Sequence, residues 1–210
     1  MKFIETIRIV DGSPCLLPLH IERMEATSLE VGYDAPPCVC ATMLMPPPPL
    51  THGVIKCRIV YGHEIESVEF SAYCPHPLSS LLITEAGDID YHLKSADRTI
   101  LDALHRKAVA MDCSDAIISR HGMITDTTYG NLVCHTVDGR MLTPDTPLMK
   151  GVMRRSLIES GALIPTPISR TDLLPNNHLD IISISIINVM LPLGAVHPIP
   201  LAKIKSPNTL

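Results

Sequence analysis

The chain has 210 residues, a length that suits one large domain or two small lobes. Hydrophobic residues make up 46% of the chain and charged residues 19%, which excludes an intrinsically disordered protein and permits a sizeable core. The net charge of −5 and the lack of a lysine- or arginine-rich run argue against nucleic acid as the main partner.

The first fifty residues predict a strand, a helix and a loop. Alternation of apolar and polar residues in FIETIRIVDG, residues 3–12, predicts a strand that ends in a turn. LPLHIERMEATSLEVG, residues 17–32, predicts a short helix. Its apolar face is expected to comprise Leu19, Met24, Leu29 and Val31. PPCVCATMLMPPPPL, residues 36–50, carries six prolines and predicts a loop.

A pair of strands, GVIKCRIVYG and ESVEFSAY, is predicted to follow, joined around Gly62 and His63. After about residue 86 the sequence changes character. We therefore predict two α+β lobes, a small one over residues 1–85 and a larger one over residues 86–210 that carries Lys94.

An extended-looking run, LLITEAGDIDYHL, crosses the predicted boundary between the lobes and leads to Lys94. Residues 99–112 then predict a helix. Its apolar face is expected to comprise Ile100, Leu104, Ala108 and Met111. Short glycine-punctuated strands are predicted over residues 116–144, then a helix that Gly161 closes. The apolar run IISISIINVMLPL contains polar residues and is too short to span a bilayer, so it predicts a buried strand.

The seven cysteines are odd in number and scattered, and the chain starts without a signal-peptide pattern. They therefore predict reduced thiols in a cytoplasmic protein. Cys38 and Cys40 are separated by one residue, whereas zinc knuckles and redox motifs have two. Both are expected to be small buried hydrophobic side chains. No histidine pair has a metal-ligand spacing, so no metal site is predicted.

The ordered motifs HIER, KSADR, DAIISRHGMITDTTYGN, LTP and LMKGVMR resemble those of the class IV aminotransferase family. The resemblance covers nearly the whole chain and is densest over residues 91–155. It implies a two-lobed α+β fold of the fold-type IV, D-amino-acid aminotransferase-like class, with pyridoxal 5′-phosphate (PLP) as cofactor. It also implies a homodimer with its active site between the lobes. The family normally has further residues before its FETIR strand, so the small lobe is expected to be trimmed at its start.

The resemblance assigns the cofactor ring to three residues. Lys94 matches the lysine that forms a Schiff base with the cofactor aldehyde, on a rigid strand where partial desolvation lowers an amine pKa. Asp126 takes the place of a glutamate that faces the pyridine nitrogen, and Asn131 matches an asparagine that braces this loop. Taken alone, Lys94 would be a solvated lysine and Asp126 a turn residue.

The cofactor phosphate is assigned to Arg23 and to the backbone N–H groups of Val152 and Met153 at a helix start. Taken alone, Arg23 would be an exposed helix residue. The family also has a late-strand hydroxyl at this site, where this chain has Ile186 with Ser185 beside it.

Arg58 and Arg98 are the candidate ligands of substrate carboxylates, with structural ion pairs as the alternative for both. The resemblance is closest to 4-amino-4-deoxychorismate lyase, which eliminates pyruvate and leaves 4-aminobenzoate. A class IV aminotransferase of branched-chain or D-amino acids is the second reading, and a non-catalytic dimeric relative without cofactor is the third.

Overall fold

The structure, a computed structural model, describes residues 1–50 and 52–206, which form two compact units. The smaller unit comprises Met1–Pro75 and Leu93–Asp97, and the larger unit contains His76–His92 and the chain from Arg98 onward. The division therefore falls after Pro75 rather than after residue 85, because the strand that begins at Leu81 pairs within the larger unit. Lys94 also belongs to the smaller unit, contrary to the predicted division.

The smaller unit contains a four-stranded antiparallel sheet of order β2-β1-β3-β4 and one helix. The elements are β1 (Phe3–Val10), β2 (Ser13–Pro14), α1 (Leu17–Glu30), β3 (Val54–Tyr61) and β4 (Ile65–Ala72). β1 pairs with β3 along its whole length, so the alternating apolar residues of both strands share faces. Ile7, Ile9, Ile55, Cys57 and Ile59 form a buried cluster on one such face. The predicted strands are confirmed.

Helix α1 is confirmed, but its predicted apolar face is partly wrong. Leu29 is 81% exposed, whereas Met24 is buried together with three polar residues. These polar residues are His20, Thr27 and Ser28. Spacings of three, four and seven residues place this set on one side of the helix, and Leu29 lies outside it. A polar contact between α1 and Glu5 of β1 determines which face of the helix is buried.

The larger unit contains a nine-stranded mixed sheet. Its strands are β5 (Leu81–Glu85), β6 (Asp115–Arg120), β7 (Met123–Thr127), β8 (Asn131–Thr136), β9 (Met141–Pro144), β10 (Ile164–Thr166), β11 (Ile181–Ile187), β12 (Ile199–Pro200) and β13 (Ile204–Lys205). The path runs β10-β9-β8-β7-β6-β5-β13, β11 pairs with β8, and β12 pairs with β11. Two helices, α2 (Thr99–Val109) and α3 (Val152–Glu159), belong to this unit. Helix α2 connects the parallel strands β5 and β6.

The predicted buried strand in the late apolar run is confirmed as β11. The predicted face of α2 is wrong at one position, because Ile100 is 57% exposed and Leu101 is buried instead. The extended-looking run before Lys94 is a strand only as far as Glu85. From residue 86 to residue 98 the chain is irregular.

The proline-rich segment of residues 36–50 is a loop that contains a short 3-10 helix, Ala41–Leu44. Cys38 and Cys40 are both exposed, so the interpretation of them as buried hydrophobic side chains is wrong. Within residues 1–50 and 52–206, no helix is both long enough and apolar enough to cross a bilayer.

Candidate active site

A buried carboxyl group, that of Asp126, lies at the end of β7 in the larger unit. Its Oδ1 accepts a hydrogen bond of 2.7 Å from the Asn131 side-chain amide, and its Oδ2 accepts one of 2.7 Å from the Met149 backbone N–H. The Asn131 amide also donates to the Met149 carbonyl oxygen at 2.8 Å. Asp126 and Asn131 face each other because a tight turn, closed by the Thr127 N–H and the Gly130 carbonyl, joins β7 to β8. The two residues that the motif spacing selects are therefore in direct contact.

Burial raises the pKa of the Asp126 carboxyl from 3.8 to about 7, against the opposing effects of the Met149 N–H, the Asn131 amide and Arg154. Arg154 is itself buried, and its guanidinium donates to the Pro144 carbonyl oxygen at 2.8 Å. Asp126 can therefore change its protonation state near neutral pH. Its charged form would be favoured by any cationic group placed against it.

Helix α3 begins beside this carboxyl group. Gly151, the residue before its first turn, has a backbone φ of −65° that any residue adopts, but a Cβ there would lie 2.1 Å from Asn131 Oδ1. Glycine thus permits close contact between the helix start and Asn131. The first-turn N–H groups of Val152 and Met153 have no acceptor within the helix and lie at the positive end of its dipole. The larger unit thus combines a buried carboxyl group with a helix start whose N–H groups are suited to an anion.

Lys94 lies in the short segment of the smaller unit that runs beside β1. Its carbonyl oxygen accepts a hydrogen bond of 2.9 Å from the Ile4 N–H, and the next residue, Ser95, forms a β-bridge with Phe3. Leu93 packs against the buried cluster around Phe3. The lysine is half-buried. The prediction of a strand at Lys94 is wrong, because this anchoring comes from β1 and not from continuation of β5.

Arg23, predicted to bind phosphate, takes part in a buried ionic cluster with Glu5 and His20. Its Nε and Nη2 donate to the two carboxylate oxygens of Glu5 at 2.7 Å and 2.6 Å. His20 Nδ1 lies 2.7 Å from Glu5 Oε2. Both Glu5 and His20 are fully buried, whereas the Arg23 side chain is 18% exposed. This contact fixes the buried face of α1.

Burial acts to raise the pKa of Glu5, but the charge of Arg23 and the hydrogen bonds from His20 and Arg23 outweigh it. The result is a pKa lowered from 4.5 to about 2. Because the folded-state pKa is depressed, this pairing stabilises the fold fully above pH 4.5 and is lost as the pH falls through about 2. Sequence reasoning missed Glu5. The available signal was a charged residue on the same side of β1 as the apolar Phe3 and Ile7.

Glu5→Gln should destabilise the protein by about 3–5 kcal/mol near neutral pH, because it leaves the Arg23 charge buried without its counter-ion. For a chain of this size, this corresponds to a fall in melting temperature of about 10 °C. Urea and thermal denaturation would measure it. The matched control is Glu66→Gln, which removes an exposed pair with Lys2 and should cost no more than about 1 kcal/mol. Equal losses in the two variants would contradict the account.

The two predicted substrate-binding arginines differ in their surroundings. Arg98 Nη2 donates to the Thr128 carbonyl oxygen at 2.8 Å, and Arg98 Nε lies 3.5 Å from Asp102 Oδ1. Arg58, on β3, is 3.9 Å from Glu69 of β4 at a partly exposed position. Arg98 therefore contacts the turn between Asp126 and Asn131, and Arg58 forms the looser pair.

A second buried carboxylate, Asp115, holds the same turn. Thr128 donates to it from its hydroxyl at 2.6 Å and from its backbone N–H at 3.2 Å, and His105 Nδ1 lies 3.0 Å away. Sequence reasoning missed Asp115, because its partners lie on α2 and on the turn, outside its own strand. Arg98 and Asp115 together fix both backbone groups of Thr128, two residues from Asp126.

The late-strand position is occupied by Ile186, which is buried in the sheet core. Its neighbour Ser185 is also buried, and its hydroxyl lies 2.8 Å from His135 Nε2. Where the family has a hydroxyl, this chain therefore has the apolar side chain of Ile186, and the hydroxyl of the adjacent Ser185 contacts His135.

Residues 72–199 match the family model for class IV aminotransferases, described as "Amino-transferase class IV". The chain belongs to the class IV aminotransferase family. A Haemophilus influenzae protein is 29% identical over 181 residues, which cover 85% of this chain and 95% of that protein. A Schizosaccharomyces pombe protein named "Putative aminodeoxychorismate lyase" is 25% identical over 171 residues, which cover 74% of this chain and 72% of that protein.

Several solved structures share the fold of this chain. A "putative 4-amino-4-deoxychorismate lyase" from Haemophilus somnus has a TM-score of 0.79 at 28% identity, covering 91% of this chain and 97% of that one. A Brucella abortus aminotransferase with bound PLP has a TM-score of 0.68 at 16% identity, covering 94% of this chain and 80% of that one. The predicted α+β fold of fold type IV is confirmed. The prediction of a PLP-dependent lyase or aminotransferase of class IV is also confirmed.

Proposed function

We propose that the protein is a PLP-dependent 4-amino-4-deoxychorismate lyase, which eliminates pyruvate from its substrate and leaves 4-aminobenzoate. The observation that carries this proposal is the buried Asp126 carboxyl group beside Asn131 and the start of α3. Further support comes from the similarity to proteins named for this activity, over 91% of this chain in Haemophilus somnus and over 74% in Schizosaccharomyces pombe.

The residues present suit PLP in three respects. Lys94 supplies an amine, Asp126 a carboxylate for the pyridine nitrogen, and the N–H groups of Val152 and Met153 an anion site. The close approach of Gly151 to Asn131 leaves no room for a side chain at the start of α3. When bound, PLP supplies an electron sink for the bond that breaks at the substrate α-carbon.

The amino group of Lys94 is proposed to bind the cofactor aldehyde and, once the substrate amine has replaced it, to take the α-proton. Asp126 is proposed to keep the ring nitrogen protonated. The positive charge on this nitrogen would in turn stabilise the charged form of Asp126. Asn131 keeps the Asp126 carboxyl in one orientation through its 2.7 Å hydrogen bond.

Arg23 is proposed to hold the cofactor phosphate together with Val152 and Met153. Glu5 engages its Nε and Nη2, so Nη1 is the nitrogen proposed for the phosphate. Arg58 is proposed to bind a substrate carboxylate. Arg98 is proposed for the second carboxylate, although its bond to Thr128 favours the structural alternative. We also propose that the protein is a homodimer. Its seven free cysteines support the further proposal of a cytoplasmic location.

Incubation with 4-amino-4-deoxychorismate should release 4-aminobenzoate and pyruvate in equal amounts without an added 2-oxo acid. The reason is that elimination keeps the substrate amine in 4-aminobenzoate, whereas transamination needs a 2-oxo acid to accept the amino group. Chromatography of both products, with the Lys94→Ala protein as control, would measure this. Dependence on a 2-oxo acid, or turnover restricted to branched-chain or D-amino acids, would replace the lyase with an aminotransferase.

A further inference from the structure

Two fully buried side chains of the smaller unit hold Arg23 from behind. His20 Nδ1 lies 2.7 Å from Glu5 Oε2, and the two Glu5 oxygens accept hydrogen bonds of 2.7 Å and 2.6 Å from Arg23 Nε and Nη2. Glu5 and His20 have no exposed surface, whereas the Arg23 side chain is 18% exposed. The exposed part of Arg23 therefore lies on the side that faces away from Glu5.

The planar guanidinium of Arg23 has two edges, each of which can bind a pair of oxygen atoms. Glu5 occupies the edge formed by Nε and Nη2, and the group cannot turn without breaking both bonds. The second edge, formed by Nη1 and the remaining N–H of Nη2, is thereby fixed in direction. Although burial acts to raise the pKa of Glu5, the charge of Arg23 holds it at about 2, so the carboxylate stays charged near neutral pH.

The strand that carries Glu5 also anchors the backbone of Lys94. Ile4, next to Glu5 in β1, donates its N–H to the Lys94 carbonyl oxygen at 2.9 Å. Adjacent residues of one strand therefore hold Arg23 and Lys94, the two side chains of the smaller unit that are proposed to bind the cofactor. Their relative position is set within this unit.

A purely structural ion pair accounts for less of this arrangement. Such a pair is complete when both partners are buried, and it does not require Arg23 to reach the surface. An arginine with one loose contact remains free to turn, as at Arg58, whose Nη1 lies 3.9 Å from Glu69 Oε2. Arg23 instead combines a fixed orientation with an exposed edge.

We propose that Glu5 is a positioning residue for cofactor binding, which, braced by His20, directs the second edge of Arg23 toward the phosphate of PLP. This inference rests on the proposed role of Arg23 in holding that phosphate. Glu5 acts only through Arg23. It should therefore contribute to the affinity for PLP but not to the affinity for pyridoxal, which has the same ring and aldehyde and lacks the phosphate.

Absorption titrations of the cofactor-free protein with PLP and with pyridoxal test this role. The ratio of the two dissociation constants isolates what the phosphate adds to binding. Arg23→Lys keeps the charge but removes the second edge, and it should lower the preference for PLP by about tenfold or more. Glu5→Asp keeps the charge, and thus the fold, but withdraws the carboxylate by one methylene. It should lower the preference by about fivefold or more.

The double variant shows whether Glu5 acts through Arg23. Glu5→Asp should add no further loss to that of Arg23→Lys. Ile9→Val, which shortens a fully buried side chain of the same strand, is the control for lost stability and should keep the wild-type ratio. A wild-type ratio in Glu5→Asp, or additive losses in the double variant, would overturn the inference and leave the lyase proposal standing. A wild-type protein without preference for PLP over pyridoxal would instead remove the phosphate role of Arg23, and the inference with it.

Discussion

Lys94→Ala should abolish both turnover and the visible absorption band that the purified protein acquires with PLP. The amine of this residue is the proposed covalent anchor of the cofactor, and alanine cannot form the bond. Absorption spectra during titration with PLP would measure the band. Borohydride reduction followed by peptide mass spectrometry should place the cofactor on Lys94 in the wild-type protein.

The matched control for this experiment is Lys56→Ala, since Lys56 is another half-buried lysine of the smaller unit. This variant should keep the band. A band that persists in Lys94→Ala would assign the cofactor to a different lysine. A wild-type protein that stays colourless in excess PLP would favour the third reading of the sequence, a dimeric relative that binds no cofactor.

Asp126→Asn should remove a pH dependence of stability and should lower turnover by about 10²–10³-fold. The folded-state pKa of Asp126 is raised from 3.8 to about 7, so the folded protein binds more protons than the unfolded chain between these values. Stability of the cofactor-free protein should therefore fall as the pH rises through this window. A shift of this size corresponds to about 4 kcal/mol. The loss of turnover follows from removing a preorganised charge at the reacting ring.

Urea denaturation of the cofactor-free protein at a series of pH values would measure the first effect. The fall in stability should be absent in Asp126→Asn and should persist in Asp115→Asn, which changes another buried carboxyl group of the same unit. PLP should reduce the fall in the wild-type protein if the ring nitrogen pairs with the charged form of Asp126. The same fall in wild type and Asp126→Asn would show that Asp126 is not the group responsible.

The elements of the fold could be predicted largely from local pattern. Alternation in FIETIRIV and VIKCRIVY identifies two strands that pair along their full lengths. The site near Asp126 could also be predicted, since the spacing to Asn131 matches a tight turn and Gly151 precedes a helix. These features are local because a turn, or the start of a helix, is determined by a few adjacent residues.

The order and spacing of its motifs along the chain indicated the family and placed Asn131 in the same loop as Asp126, and the alternation of apolar residues predicted the strands. Only the tertiary structure decided that Glu5 binds Arg23, that Arg98 binds the Thr128 carbonyl, and that Leu29 and Cys40 face solvent. Periodicity predicts that a helix or strand has two faces, but the buried face depends on what packs against it. Polar contacts between residues far apart in the chain also contribute to stability, and a short stretch of sequence carries no information about them. For that reason the pairing of charged residues within this chain could be identified only from the folded structure.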